Sequence, residues 1–350
     1  MRRASAQREV NMNLAKSLLG AAAALFLGGS AAGAGDIPSL NLKYASVLPK
    51  GNAVSDVDEY YVKKLDELSG GKIKAQIFWT RALGKADEML PMIEAGAVDF
   101  TMLETGQYSE TPFLGMMNAL PMVHFDDGEV VSTAYDLYQN SEAVKKELET
   151  IGARIALVRP SPGYYLLCKA SIESLADFRG KKLRAYGPYV PLMWEALGAV
   201  PVNVPSNELY EALDKGVIDC AYLPPSFLAA FKLHEVAKNF IDFSFGNIEL
   251  APVVVPNVVW EQWPAEVQAI VEKATKDTEA WGAEHITKNA ADSIDVMVAA
   301  GARKVSLKDA DAVKAAIPDM IDIWVKRQTD AGRGEQAALV AARVREALGQ

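Results

Sequence analysis

One arginine stands out as a residue that could hold an anion. Arg184 ends a short apolar segment between Gly180 and Gly187, a pattern that predicts a strand bounded by turns. A guanidinium is a planar fork of N–H donors that matches both oxygens of a carboxylate, so this position suits the binding of an organic acid. The alternative interpretation is an ordinary surface arginine beside a strand. The surrounding sequence has to decide between the two.

Metal and thiol chemistry find little support in the sequence. The histidines His124, His234 and His285 are far apart and share no metal-ligand spacing, so structural roles are favoured. Cys168 and Cys220 are too few for a zinc site built on soft ligands. They permit either one disulfide in an exported protein or two buried thiols. We therefore predict no metal site and no cofactor.

Acid–base catalysis rests only on generic residues. Asp219, Glu208 and His124 could serve as acid or base, but the chain contains no nucleophile elbow and no HExxH motif. Residues 208–213 are more simply explained as one helix face. We predict that the chain is not an enzyme, and an exported enzyme remains the rival class.

The first 34 residues are predicted to be a secretory signal peptide. Four basic residues precede an apolar run at 18–29, and residues 32–34 fit a small-residue cleavage site. The remaining chain has 32 basic minus 44 acidic residues, a formal charge of −12, which disfavours nucleic-acid binding. The apolar run is short, and no later stretch approaches the roughly 18 apolar residues of a membrane helix. We expect an exported, periplasmic protein that does not itself span a membrane.

The rest of the chain shows the same α/β alternation twice. In the first half, three predicted strands alternate with two helices, at residues 39–45, 54–68, 73–79, 86–95 and 98–103. In the second half the alternation recurs at residues 182–186, 192–197, 199–204, 206–215 and 217–222. Strand, helix, strand with short joints predicts parallel sheets under right-handed crossovers. The fold class is therefore α/β with two similar lobes.

Three segments are predicted to join the lobes. Residues 159–163, with two prolines and a glycine, predict a crossing, and residues 249–260 predict a strand that returns to the first lobe. A helix from Pro264 to about residue 300, interrupted only at Gly282, would exceed about 50 Å and brace both lobes. The predicted lobes are residues 35–163 with about 252–282, and residues 164–251 with about 283–350.

The order and spacing of ten short phrases resemble one protein family. They resemble the DctP-type periplasmic substrate-binding proteins of TRAP (tripartite ATP-independent periplasmic) transporters, over nearly the whole mature chain. No single phrase is specific, but their order and spacing together are. The phrases are residues 48–49, 69–73, 83–84, 95–99, 120–121, 172–184, 195–199, 208–213, 216–219 and 257–260.

The resemblance implies a two-lobed binding protein whose lobes close on a ligand in the cleft between them. It implies that Arg184 clamps the ligand carboxylate. It also implies one small and one large membrane subunit as partners, with uptake driven by an ion gradient. In such a lobe the strands that carry Cys168 and Cys220 are expected to be neighbours, so we predict a cross-strand disulfide.

The chain departs from the family at two ligand positions. A second arginine that follows a Gly-Phe pair in many sugar-acid and dicarboxylate binders is matched here by Gly163-Tyr164-Tyr165. An asparagine that meets ligand in the family is matched by Leu223. Sugar acids and C4-dicarboxylates need several polar partners once they lose water. The departures therefore disfavour both ligand classes.

Aromatic residues take the place of those polar partners. We predict a monocarboxylate with an apolar or aromatic body, held by Arg184 at one end and by tyrosines at the other. Some of these tyrosines could instead only pack the hinge, and Arg159 and Arg81 are alternative clamps. A binding protein for an ABC importer or a sensor kinase would differ only in its partner. The candidate ligand-binding residues besides Arg184 are Tyr164, Tyr165, Tyr186, Tyr189, Tyr222, Leu223, Phe227, Glu208, Arg159, Arg81 and Asn257.

Overall fold

Two β-sheets organise the chain. The computed structural model describes residues 37–85, 88–105, 108, 110–125 and 127–350, and the predicted signal peptide lies outside the described residues. The strands in the described ranges are β1 (Leu40–Ala45), β2 (Ile73–Phe78), β3 (Phe100–Met102), β4 (Ala153–Leu157), β5 (Tyr165–Cys168), β6 (Lys182–Ala185), β7 (Val200–Asn203), β8 (Cys220–Leu223), β9 (Asn239–Ile241), β10 (Val253–Pro256) and β11 (Arg303–Val305).

Helices alternate with these strands, as the sequence predicts. Those in the described ranges are α1 (Ala53–Leu68), α2 (Met89–Glu94), α3 (Met116–Ala119), α4 (Asp127–Asn140), α5 (Glu142–Thr150), α6 (Val190–Ala196), α7 (Leu209–Asp214), α8 (Pro225–Ala230), α9 (Asn257–Trp260), α10 (Ala265–Ala299), α11 (Ala310–Ala316), α12 (Met320–Asp330) and α13 (Gly334–Ala347). α2 begins late, at Met89, which places Pro91 in the first turn where its missing N–H is not needed.

Each sheet belongs to one lobe. The first-lobe sheet has the order β2-β1-β3-β10-β4, with β1 parallel to β2 and β3. The second-lobe sheet has the order β11-β9-β5-β8-β6-β7, with β6 parallel to β7 and β8. The predicted parallel units are present in both sheets. The short outer strands β9 and β11, of three residues each, were not predicted, because so short a segment shows no periodicity.

The predicted return of the chain to the first lobe is confirmed, but the predicted strand was too long. β10 pairs antiparallel with β3 and β4, so residues 253–256 do complete the first-lobe sheet. Residues 257–260 form the helix α9 instead of continuing the strand. Pro256 has no N–H to donate to a ladder, so the strand ends there.

The long helix α10 is continuous over 35 residues, about 52 Å. The predicted interruption at Gly282 is wrong: a Cβ added at Gly282 would lie 3.2 Å from a Val57 methyl, so the glycine allows α1 to approach α10 closely. The Thr275 hydroxyl donates to the Ala156 carbonyl in the first lobe. At the far end, the Ala300 carbonyl accepts from Lys238 beside β9. α10 therefore contacts both lobes, as a bracing helix should.

The predicted disulfide is confirmed. Cys168 and Cys220 lie directly opposite each other in the antiparallel pair β5–β8 and are bonded. The bond ties the strand that enters the second lobe to the centre of that lobe's sheet. None of the helices in the described ranges combines the length and the apolar character that a bilayer span requires.

Candidate ligand-binding site

Two crossover segments, residues 158–164 and 242–252, connect the sheets and run side by side. Backbone N–H groups of Ser161 and Leu250 donate across them, to the carbonyls of Ile248 and Arg159 at 2.7 and 2.8 Å. A cavity of about 170 Å³ lies where these segments meet both lobes. Its first-lobe wall includes Leu48, Met102, Glu104, Asn118 and Ala119; its second-lobe wall includes Tyr164, Arg184, Tyr186, Leu223 and Phe227; residues 248–251 complete it.

Arg184 lies on β6 in the second-lobe wall and is only 7% exposed. Its Nε donates to the Val204 carbonyl at 3.2 Å and its Nη1 to the Tyr222 carbonyl at 2.9 Å. The guanidinium carbon lies 4.7 Å from the centre of the Tyr186 ring. Among the described residues, no carboxylate forms an ion pair with Arg184 and no group accepts a hydrogen bond from its Nη2. The backbone partners fix the guanidinium and leave part of its donor fork unused.

Burial of the Arg184 guanidinium costs free energy, because the charge loses its hydration. Desolvation lowers the pKa of the Arg184 guanidinium, which still remains protonated because arginine does not lose its proton in proteins. Nearby tyrosines offset only part of that effect. A buried charge is normally paired, and an unpaired one is destabilising. The arrangement is therefore suited to an anion that enters the cavity and supplies the missing partner.

Three tyrosines pack together around the guanidinium. The ring centres of Tyr164 and Tyr222 are 4.9 Å apart, and Tyr186 lies 6.0 Å from Tyr164 and 6.1 Å from Tyr222. Burial raises the pKa of each hydroxyl above its ordinary value, so the three stay neutral. Tyr164 and Tyr186 line the cavity, whereas Tyr222 contributes its carbonyl to Arg184. The cavity thus combines one cation with aromatic faces.

Four other predicted residues lie outside the cavity wall. Tyr165 stacks on Phe240 at 5.1 Å, on the face opposite Tyr164, because successive residues of an extended chain point to opposite sides. The ring of Tyr189 packs under Arg327. Glu208 is exposed in a 3-10 turn, and Asn257 accepts from Arg154 at the start of α9. Leu223 and Phe227, in contrast, line the cavity.

The two alternative arginines are already engaged. Arg159 is fully buried, and its Nη1 contacts both carboxylate oxygens of Asp58 at 2.7 and 2.9 Å. Its Nη2 donates to the carbonyls of Leu250 and Ala251, which belong to the cavity wall. Arg159 therefore positions the wall instead of lining the cavity. Arg81 is 41% exposed and lies 3.5 Å from Glu104.

Most residues of the first-lobe wall were not predicted as ligand-binding residues, because most of the predicted residues lie in the second lobe. Glu104 follows β3, and the ends of parallel strands are common positions for ligand contacts, so a signal for it existed. Leu48 belongs to one of the family phrases and Ala119 directly precedes another, and neither carries a polar signal of its own. Within the described ranges, no three His, Cys, Asp or Glu side chains come together as metal ligands.

Comparisons with known proteins agree with this architecture. A family model described as bacterial extracellular solute-binding protein, family 7 (DctP), matches residues 44–327. The solute-binding protein NAS141_03721 of Sulfitobacter sp. (strain NAS-14.1) is 24% identical over 272 residues, covering 76% of this chain and 80% of its own.

Solved structures are similar at low identity, so their likeness concerns the fold. A TRAP solute-binding protein from Rhodoferax ferrireducens T118, in complex with copurified benzoate, has a TM-score of 0.77 and 19% identity and covers 89% of this chain and 99% of that one. A TRAP periplasmic solute-binding protein from Sulfitobacter sp. NAS-14.1, with bound β-D-galacturonate, has a TM-score of 0.72 and 19% identity and covers 88% and 100%. The family match spans most of the chain, and this protein therefore belongs to the DctP family, which is made of extracellular solute-binding proteins rather than enzymes.

Proposed function

We propose that this protein captures an organic acid in the periplasm through Arg184 and delivers it to a TRAP membrane complex. The observation that carries the proposal is a buried guanidinium that lines the interlobe cavity without an ion-pair partner in the described part of the chain. A ligand carboxylate would accept from the unused donors and neutralise the charge. A water-excluding site strengthens such a pair, because the local dielectric constant is low.

We further propose a monocarboxylate with an apolar or aromatic body. The wall around Arg184 is largely apolar and aromatic, with Met102, Leu223 and Phe227 beside the tyrosines. Arg159, the other buried arginine in the described ranges, is held by Asp58 and is not free to clamp a second carboxylate. The solved relatives hold benzoate in one case and galacturonate in another, and both are carboxylates. The apolar wall of this chain favours the first kind of ligand.

Delivery to a membrane complex follows from the family and the hinge. The proposed partners are one small and one large TRAP subunit that use an ion gradient. The leader at residues 1–34 would direct export to the periplasm and would then be cleaved off. Closure of two lobes about the crossover segments would seal the ligand from water. An ABC importer or a sensor kinase as partner is the alternative, and neighbouring genes for two membrane subunits without an ATPase would exclude the importer.

A substitution at Arg184 tests the ligand proposal. Arg184→Met keeps the apolar stem and removes the charge. Two charge-assisted hydrogen bonds are worth about 3 kcal/mol or more, so we expect affinity for benzoate and related acids to fall at least ~100-fold by calorimetry. The matched control is Arg343→Met, which removes an arginine that is 40% exposed and paired with Asp136 on the surface. Unchanged affinity in Arg184→Met, or thermal stabilisation only by neutral sugars or cations, would refute the proposal.

A further inference from the structure

Two carboxylates belong to the wall of the same cavity as Arg184, and neither is part of the proposed carboxylate clamp. Glu104 lies just beyond the carboxyl end of β3 in the first lobe, and Glu249 lies on the second crossover segment. A carboxylate in the wall repels a carboxylate ligand that binds nearby. The presence of these two side chains in an acid-binding cavity therefore needs an explanation.

Only one of the two is accessible to a ligand. Glu249 is fully buried, and its Oε2 accepts from the Tyr138 hydroxyl. The side chain of Glu104 keeps 25% of its surface exposed. Its single ion-pair partner among the described residues is Arg81, at 3.5 Å, the long limit of a hydrogen bond. Since a carboxylate can accept about four hydrogen bonds, Glu104 has acceptor capacity left for a ligand.

The backbone at Arg81 is held by hydrogen bonds that do not involve Glu104. Thr80 and Arg81 both have positive φ, at 55° and 60°, which is uncommon for residues other than glycine. Their N–H groups donate to the carbonyls of Leu48 and Ser46, at 2.8 and 3.0 Å, so the turn is tied to the end of β1. The Arg81 guanidinium lies 3.5 Å from Glu104, and the Arg81 side chain is 41% exposed. Burial raises the pKa of the Glu104 carboxyl, and the positive charge of Arg81 offsets part of that rise. Arg81 therefore favours the charged form of Glu104.

We propose that Glu104 determines specificity by accepting a hydrogen bond from the ligand, so that the protein selects acids that carry an amino, hydroxyl or ring N–H group away from the carboxylate. The inference rests on the proposed function, since it takes Arg184 as the carboxylate anchor. The cation lies in the wall of one lobe and the anion in the wall of the other. A ligand with a carboxylate and a donor satisfies both and draws the lobes together.

An acid without a donor group leaves Glu104 poorly satisfied when the cleft closes. The carboxylate then loses water and gains nothing in exchange, and a site built to hydrogen-bond a ligand group rejects analogues that lack it. Glu104 would therefore act on selectivity between similar acids, whereas Arg184 would act on all acids.

Matched ligand pairs test the inference. We would compare the affinity of benzoate with that of 4-aminobenzoate in one pair and with that of 4-hydroxybenzoate in a second pair, since both donor groups lie across the ring from the carboxylate. For the wild type we expect the donor-bearing member of at least one pair to bind about 10-fold tighter or more. Glu104→Leu should abolish that preference, and Glu104→Gln, which keeps a carbonyl acceptor, should retain part of it. The control is Glu211→Leu, at a glutamate that is 68% exposed on α7 and outside the cavity.

The outcomes separate this inference from the function on which it rests. If Arg184→Met loses every acid while Glu104→Leu keeps the wild-type ratio within each pair, Glu104 has no selective role and only the inference fails. A wild type that shows no preference for the donor-bearing member of either pair overturns the inference in the same way. If Arg184→Met binds all acids as the wild type does, or the wild type binds none of them, both proposals fail.

Discussion

The buried pair of Asp58 and Arg159 yields the sharpest stability prediction. Both side chains are 0% exposed, and they connect α1 to the first crossover segment. The Tyr44 hydroxyl donates to Asp58 at 2.7 Å. Asp58→Asn keeps an acceptor for Tyr44 and removes only the negative charge. It therefore leaves a fully buried guanidinium without the carboxylate that forms its ion pair.

The expected cost is large because arginine cannot give up its proton. Breaking a buried pair on one side costs about 3–5 kcal/mol. At roughly 2 °C per kcal/mol for a chain of this size, the melting temperature should fall by about 6–10 °C. Arg159→Met leaves Asp58 instead, and a carboxylate can become neutral by binding a proton. The cost of Arg159→Met should therefore be smaller at pH 5 than at pH 8.

Urea unfolding of the two single variants and the double variant at both pH values would measure these costs. The double variant should be less destabilised than the sum of the single variants, because neither remaining side chain is charged. The control is Asp136→Asn, which breaks the exposed pair with Arg343 and should cost no more than about 1 kcal/mol. A cost below about 1 kcal/mol for Asp58→Asn, or an Arg159→Met cost that is equal at pH 5 and pH 8, would refute the reasoning.

Three further predictions concern other buried features. Replacing Cys168 and Cys220 with alanine should lower the free energy of unfolding by up to about 4 kcal/mol, because the disulfide closes a loop of 52 residues. Urea unfolding of the variant and of the oxidised wild type measures this loss. Equal urea midpoints would contradict the prediction. Burial raises the pKa of Glu249 from 4.5 to about 7, so between these pH values the folded protein holds a proton that the unfolded chain has lost. The stabilisation from this carboxyl is therefore fully present below pH 4.5, and up to about 3 kcal/mol of it is lost as the pH rises to about 7. Glu249→Gln should make the free energy of unfolding depend less steeply on pH. Identical pH slopes for Glu249→Gln and the wild type would disprove the assignment. Gly246→Ala should destabilise the folded protein by more than about 1 kcal/mol, because Gly246 has a φ of +104° and a Cβ there would lie 2.6 Å from the Val123 carbonyl oxygen. An unchanged melting temperature would rule this out.

Much of the fold could be predicted from local pattern. Helix α1 follows its apolar spacing from an Asn52 cap to the glycines at 70–71, and the parallel strands follow from short strand–helix joints. The disulfide prediction also succeeded, because it needed only the order of strands in a lobe of known type. The failures, at residues 257–260 and at Gly282, arose where one proline or one packing contact outweighed the local pattern.

The candidate site was predicted only in part. Arg184 and Tyr164 do line the cavity, but Tyr165, its immediate neighbour, packs on the opposite side. Glu104 is not among the predicted ligand-binding residues, although it follows a predicted strand. Sequence pattern places residues on an element, whereas the direction of a side chain in a loop or at a strand end depends on what packs against it.

The sequence by itself determined the alternation of strands and helices, the family and the presence of an arginine at the end of β6. Only the tertiary structure decided which arginine is free. Arg159 and Arg184 both accompany strands that lead to the cleft, but Asp58, 101 residues away from Arg159, neutralises one of them and no described carboxylate reaches the other. Local periodicity reflects which residues avoid water. It carries no information about which distant charge a buried group will meet, and that pairing sets where an anion can bind.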